Sequence, residues 1–162
     1  SDKYWPMAQF SIDTLLAALK DQDETNRALA TDALWQIWFN QKGEAGYQLL
    51  QRSQALLSEG QLAEAEALLS RTIEDFPDFS EAWNRRAVLY FLQNRYEEAL
   101  VDCRQVIDMV PYHFGALHGL GLCYASLGQY AEAIATFRRA LEVQPYASIN
   151  QRLILECTAR IS

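Results

Sequence analysis

From residue 46 onward, apolar side chains recur three and four positions apart in blocks of helical length, and polar breaks separate the blocks. The breaks are Glu59-Gly60-Gln61, Gln93-Asn94-Arg95 and Leu127-Gly128-Gln129, while Pro77, Pro111 and Pro145 close the blocks that follow. The prolines stand 34 residues apart, as do Ala65, Ala99 and Ala133. Segments 46–79, 80–113 and 114–147 therefore align in register, each predicting a helical hairpin. Residues 147–161 predict one more amphipathic helix, with Ile149, Leu153, Leu155, Cys157 and Ile161 apolar. Residues 11–42 predict two helices joined near Asp21–Glu24, preceded by an extension, 1–10, that carries Tyr4-Trp5-Pro6-Met7.

The register resembles the tetratricopeptide repeat (TPR). In the second segment Trp83, Ala87, Tyr90, Tyr96, Ala99 and Pro111 fall on that family's signature positions. In the third, Leu117, Leu120, Gly121, Tyr124, Gly128, Tyr130, Ala133, Phe137, Ala140 and Pro145 do so. The first keeps Leu49, Ser53, Gly60, Ala65 and Pro77 but has Arg52 and Leu56 where leucine and tyrosine are usual. The resemblance implies an all-α, right-handed α-solenoid: an N-terminal helix pair, three TPRs (46–79, 80–113, 114–147) and a capping helix at 147–161. Small residues at Ser53, Ala87 and Gly121 would let paired helices approach closely. The N-terminal pair resembles a single HEAT-type hairpin through Leu15, Leu16, Leu19, Arg27, Ala30, Ala33 and Leu34, although Asn26 replaces the usual valine. A degenerate fourth TPR or a plain N-terminal cap remain alternatives. Trp35 and Trp38 are expected to cover the apolar end of repeat one. The chain also resembles small bacterial, cyanobacterial and plastid TPR proteins.

In such an array the first helices of successive repeats line a concave groove. The positions that would face it are Tyr47, Leu50, Gln54 and Leu57 in repeat one, Asn84, Arg85, Val88 and Phe91 in repeat two, and Gly115, His118, Gly119 and Leu122 in repeat three. Chaperone-binding TPRs grip a C-terminal carboxylate with lysines, asparagines and an arginine. Here Leu50, Gln54, Arg85, Gly115 and Gly119 occupy those places, so the clamp is absent and Hsp70 or Hsp90 tails are not expected as ligands. The apolar strip suits an amphipathic helix or an extended apolar peptide instead. Gly115 and Gly119 either open the floor to a bulky anchor or simply permit close helix packing.

Composition narrows the function further. Half the residues are hydrophobic, which suits a packed core, and no apolar run is long enough to span a bilayer. The formal net charge of -7 argues against nucleic acid as partner. Residues 1–45 carry -3, 46–79 carry -4, 80–113 carry -1, 114–147 are neutral and 148–162 carry +1. A groove ligand is accordingly expected to lay a basic end toward repeat one.

Candidate chemistry is sparse. His113 and His118 have no Cys, Asp or Glu three or four residues further on, and Gly119-x-Gly121 lies within a helix, so neither metal, cofactor nor catalytic constellation is expected. Cys103 and Cys123 should be inert core thiols and Cys157 the reachable one. Arg86 stands where a buried leucine is usual and needs an acceptor on a neighbouring helix, while Arg85 faces the groove. Trp5 either packs on the Trp35 helix or marks an outside contact.

These readings converge on a protein–protein interaction module, an adaptor, scaffold or assembly factor without enzymatic activity. The alternative is a homodimerising module that pairs through its terminal segments. Unpaired cysteines and the lack of a secretory leader point to the cytoplasm or another reducing compartment, the cyanobacterial cytoplasm and plastid stroma included. A first residue of Ser1 fits a chain trimmed of a leader, an anchor or whole domains.

Overall fold

A computed structural model describes residues 10–161. Among the described residues there are nine α-helices and no strand. The three hairpins are α3 (Gly43–Ser58) with α4 (Leu62–Asp75), α5 (Ser80–Leu92) with α6 (Tyr96–Met109), and α7 (Phe114–Ser126) with α8 (Tyr130–Val143). They stack in order into the solenoid that the 34-residue period implies, and α9 (Ser148–Ile161) lies against α8. The extension bearing Trp5 lies outside the described residues up to Gln9.

Each hairpin turns in the same way. The middle residue of the three breaks, Gly60, Asn94 and Gly128, sits in the left-handed region at φ 77°, 60° and 77°. The following amides of Gln61, Arg95 and Gln129 each donate back to a helix carbonyl, of Leu56, Tyr90 and Tyr124, at 2.9 Å. This is the glycine-type helix stop, and asparagine is the substitute that tolerates it best. Ala65, Ala99 and Ala133 are buried at the crossings, and a Cβ on Gly121 would overlap the Phe137 ring.

The core runs continuously through repeats two and three into α9. It includes Cys157, which is only 4% exposed and packs with Leu120, Cys123 and Phe137. The expectation that this thiol is the reachable one fails because α9 docks in the phase of a repeat's first helix. Leu89, Cys123 and Cys157 stand 34 residues apart and all are buried. Arg86 finds its acceptor on α6: Nε donates to Asp102 Oδ2 at 2.7 Å and Nη2 to Oδ1 at 2.9 Å, while Nη1 donates to Ser70 Oγ at 3.1 Å. Burial pushes the Asp102 carboxyl above its ordinary value despite the guanidinium, and the bond to Asp102 raises Arg86.

The N-terminal pair is α1 (Ile12–Ala18) and α2 (Glu24–Phe39), started by Ser11 and Asp23, whose side chains accept from the amides of Thr14 and Thr25. Leu15 and Leu19 close against Ala30, Ala33 and Leu34. Of the pair only the end of α2 reaches the core of repeat one, where Phe39 packs on Leu50, Ile73, Phe79 and Ala82; Trp35 and Trp38 do not cover it. Instead α2 runs along the edge formed by the turns between repeats. Arg27 lies over the Tyr146 ring at 4.1 Å, Trp38 stacks on His113 at 4.0 Å, and just past the helix Lys42 pairs with Asp78 at 2.7 Å. Trp35 and Trp38 thus cover Tyr112–Phe114, at the junction of repeats two and three. The physical reason lies at both ends of the contact. Repeat one presents Gln48, Arg52, Ala55 and Glu59 outward, all exposed, and so has little apolar surface to cover. Arg52, its departure from the repeat pattern, is therefore what a solenoid end requires.

Candidate functional site

The concave face is built by α3, α5 and α7, with α2 as a fourth wall. Its widest part, about 670 Å³, lies between Trp35 and Phe39 of α2 and Asn84, Arg85 and Val88 of α5. A shallower continuation of about 380 Å³ reaches Tyr47, Leu50 and Gln54. An apolar recess of about 200 Å³ opens at the other side, between Ala87, Val88 and Phe91 of α5 and His118, Gly119 and Leu122 of α7.

Electrostatically the groove is organised around Glu81, which is fully buried. Its Oε2 lies 3.1 Å from His113 Nε2, and its Oε1 accepts from Asn84 Nδ2 at 2.9 Å. His113 Nδ1 accepts the Ala116 amide at 3.0 Å, capping α7. A ring nitrogen that accepts carries no proton, so Nε2 holds it and donates to Glu81. One histidine thereby starts α7, pairs α7 with α5 and stacks under Trp38. The Trp38 indole N–H is itself buried without an acceptor. Arg85 spans the wall, donating through Nη1 to Gln54 Oε1 at 3.1 Å, with Nε 3.7 Å from Glu81 and its guanidinium over Phe39 at 5.3 Å.

The residues named from sequence divide into three sets. Tyr47, Gln54, Arg85, Val88, Phe91, His118, Gly119 and Leu122 line the groove, Val88 being 46% exposed. Leu50 and Asn84 border it but are spent on structure, Leu50 packing with Ile73, Phe79 and Ala82, and Asn84 bonded to Glu81. One is corrected outright. Leu57 turns away and packs on Ala65, Leu69 and Leu89, since α3 must bury an apolar side against α4. Gly115 does line the recess between α5 and α7, but Trp35 packs over it, a Cβ there standing 2.6 Å from Trp35 Cη2, so of its two expected roles close packing is the one seen. Its space is already taken by the chain's own tryptophan.

Sequence reasoning missed the α2 wall: Asp32, Trp35, Gln36 and Phe39. A signal was present, in that Leu34 and Trp38 mark one apolar face and Trp35 and Phe39, four apart and stacked at 5.5 Å, mark a second. A helix apolar on two sides is packed on two sides. His118 Nδ1 meets Asn150 Oδ1 at 2.8 Å, tying α7 to α9. Cys103 and Cys123 meet below Gly119, their mutual hydrogen bond raising the first thiol and lowering the second. Among the described residues no group of three or more His, Cys, Asp or Glu could hold a metal, and no helix is long and apolar enough to cross a membrane.

Known proteins share this architecture. A TPR repeat-containing protein of Rhizobium etli is 29% identical over 135 residues, which are 83% of this chain and 66% of that one. Anaphase-promoting complex subunit 3 of Schizosaccharomyces pombe is 26% identical over 99 residues, only 14% of its length. The chain thus spans less than two thirds of these relatives. Among solved structures, the first TPR of Spaghetti (RPAP3), bound to an HSP90 peptide, superimposes with a TM-score of 0.68 at 18% identity, over 71% of this chain and 91% of that one. MamA AMB-1 gives 0.65 at 21%, over 99% of this chain and 82% of its own. Tetratricopeptide repeat models match residues 48–89 and 78–145, and that hairpin is a non-enzymatic module of protein–protein interaction. Together the two matches run from residue 48 to 145, and the chain belongs to the tetratricopeptide repeat family.

Proposed function

We propose that this protein is an adaptor, scaffold or assembly factor that binds an amphipathic helix or extended segment of a partner in the groove between α2, α5 and α7. The observation that carries the reading is the apolar strip of exposed Val88 and half-buried Phe91 and Leu122 beside a wall of already ordered polar side chains. Glu81, Asn84 and Arg85 are fixed by each other and by His113, so little ordering entropy opposes binding there. Chaperone carboxylate tails are not the proposed ligand. Leu50 is buried, Gly115 is covered by Trp35, and Arg85 is the one cation among the five clamp positions. The partner's basic end would lie toward the acidic repeat one, giving an on-rate that falls with salt. The test is Val88→Asp with Phe91→Asp in a protein that keeps its helical circular dichroism. Loss of partner capture from an extract of the source cells supports the reading, and unchanged capture refutes it.

A second reading, a homodimer formed through the terminal segments, draws on α9, where Leu155 is 71% and Ile161 58% exposed. Light scattering that finds a monomer across the micromolar range sinks it. For compartment we favour a reducing one, since all three thiols are free.

A further inference from the structure

We propose that the recess at Gly119 is a socket for one leucine- or phenylalanine-sized side chain carried by a partner helix whose outer face is basic, a refinement that rests on the groove reading above. The chain itself shows how this surface takes a side chain. At Gly115, Trp35 of α2 fills the space that the missing Cβ leaves, with Cη2 2.6 Å and Cζ2 3.0 Å from where that atom would stand. Gly119 lies one turn further along α7 and leaves a second such space, in which a Cβ would meet only Cys103 Sγ at 3.3 Å.

The second space is the apolar recess of about 200 Å³ walled by Ala87, Val88, Phe91 and Leu122 and floored by Cys103 and Cys123. A dry cavity of about 150 Å³ holds a benzene ring in another protein, so this one accommodates a leucine or a phenyl group. It shares Asn84 and Val88 with the channel along α2, so a helix laid beside α2 would extend an interface the fold already makes. Charge sets the outer face. The channel's ionisable walls are Asp32, Glu81 and Arg85, two acids against one cation, and Arg85 is engaged by Gln54 and Glu81 while Asp32 is exposed. In a chain of net charge -7 this favours lysine or arginine on the incoming helix.

The probes are three labelled 14-residue alanine- and lysine-based helical peptides, identical except for a central Leu, Phe or Ala, followed by fluorescence anisotropy. The expected result is at least tenfold tighter binding of the Leu and Phe peptides than of the Ala peptide. Gly119→Leu should erase the difference by filling the socket from inside, in a helix that accepts leucine better than glycine. Equal binding of all three, no binding, or a preference that survives Gly119→Leu overturns the socket. The groove reading is separable, because Val88→Ser with Phe91→Ser, which removes the apolar strip without adding charge, should weaken all three peptides, the Ala peptide included. Toluene titrated into the unmodified protein is a check independent of any variant's folding. Amide shifts at Val88, Cys103 and Gly119 are expected, and their absence counts against the socket.

Discussion

Two glycines four residues apart on one helix make a sharp test of where α2 lies. Gly115→Ala adds a Cβ 2.6 Å from Trp35 Cη2 and 3.1 Å from His113 Cε1, where carbon atoms prefer about 3.5–4.0 Å. Neither neighbour can yield freely. Trp35 is stacked on Phe39 and edged against Trp38, His113 and Phe114 at 5.1–5.5 Å, and His113 is bonded at both ring nitrogens. Overpacking of this kind costs about 1–3 kcal/mol. Gly119→Ala meets only a thiol at 3.3 Å, and helix propensity favours the exchange by up to about 1 kcal/mol. That gain is smaller at Gly115, the second residue of α7. The two variants should therefore differ by roughly 2–3 kcal/mol, or about 4–12 °C in Tm, read by urea and thermal unfolding at 222 nm. In a Trp35→Ala background the clash has no partner, and the difference should shrink below about 1 kcal/mol. Equal stability of the two variants, or a gap that persists without Trp35, would refute the placement of α2 on the groove edge.

Three further outcomes follow from particular contacts. Arg86→Ala leaves the Asp102 carboxylate, 2% exposed, without its bidentate partner and should cost about 3 kcal/mol in urea unfolding, with Asp102→Asn added recovering part of it. Arg95 holds Glu98 below its ordinary value, and a depressed carboxyl contributes stability above its unfolded value that is lost as pH falls through its folded one. Arg95→Gln should therefore flatten the acid limb of a Tm profile from pH 7 to 3, while Asp102, raised by burial, works in the opposite sense in both proteins. Native protein should react slowly with a thiol reagent at all three cysteines, Cys157 included because burial raises its thiol, and quickly once unfolded. A fast single-site reaction of the folded protein would restore Cys157 as a reachable group.

The periodic part of the fold was legible because each repeat position has a fixed physical task. Ala65, Ala99 and Ala133 must be small where helices cross, and Gly60, Asn94 and Gly128 must turn left-handed. Carried one step further, the same register places Cys157 in the series of Leu89 and Cys123, and Leu155 in the series of Ser53, Ala87 and Gly121. No second helix crosses α9 among the described residues, so Leu155 is exposed where its counterparts are buried. The position of α2 was not legible, since Trp35 and Trp38 announce an apolar contact but not one nearly 80 residues away, at His113 and Phe114. Groove assignments inherited the same blindness. Repeat positions fix which way a side chain points, so Val88 and Phe91 were placed, but not what else stands in the space, so at Gly115 an open floor and close packing could not be told apart. Leu57 failed for another reason: near the end of α3, burial against α4 and α5 outweighs the repeat pattern.

An array of helical hairpins behaves like a coil spring, flexing by small changes of pitch at each junction between neighbours. Here α2, about 24 Å of continuous helix, reaches from Tyr146 past His113, and the chain just beyond it is pinned at Asp78, so one rod spans three successive junctions. A spring splinted along one edge cannot change pitch without bending the rod or tearing a tether. The curvature of the concave face is therefore set before a ligand arrives, and a ligand need not supply the energy of winding it.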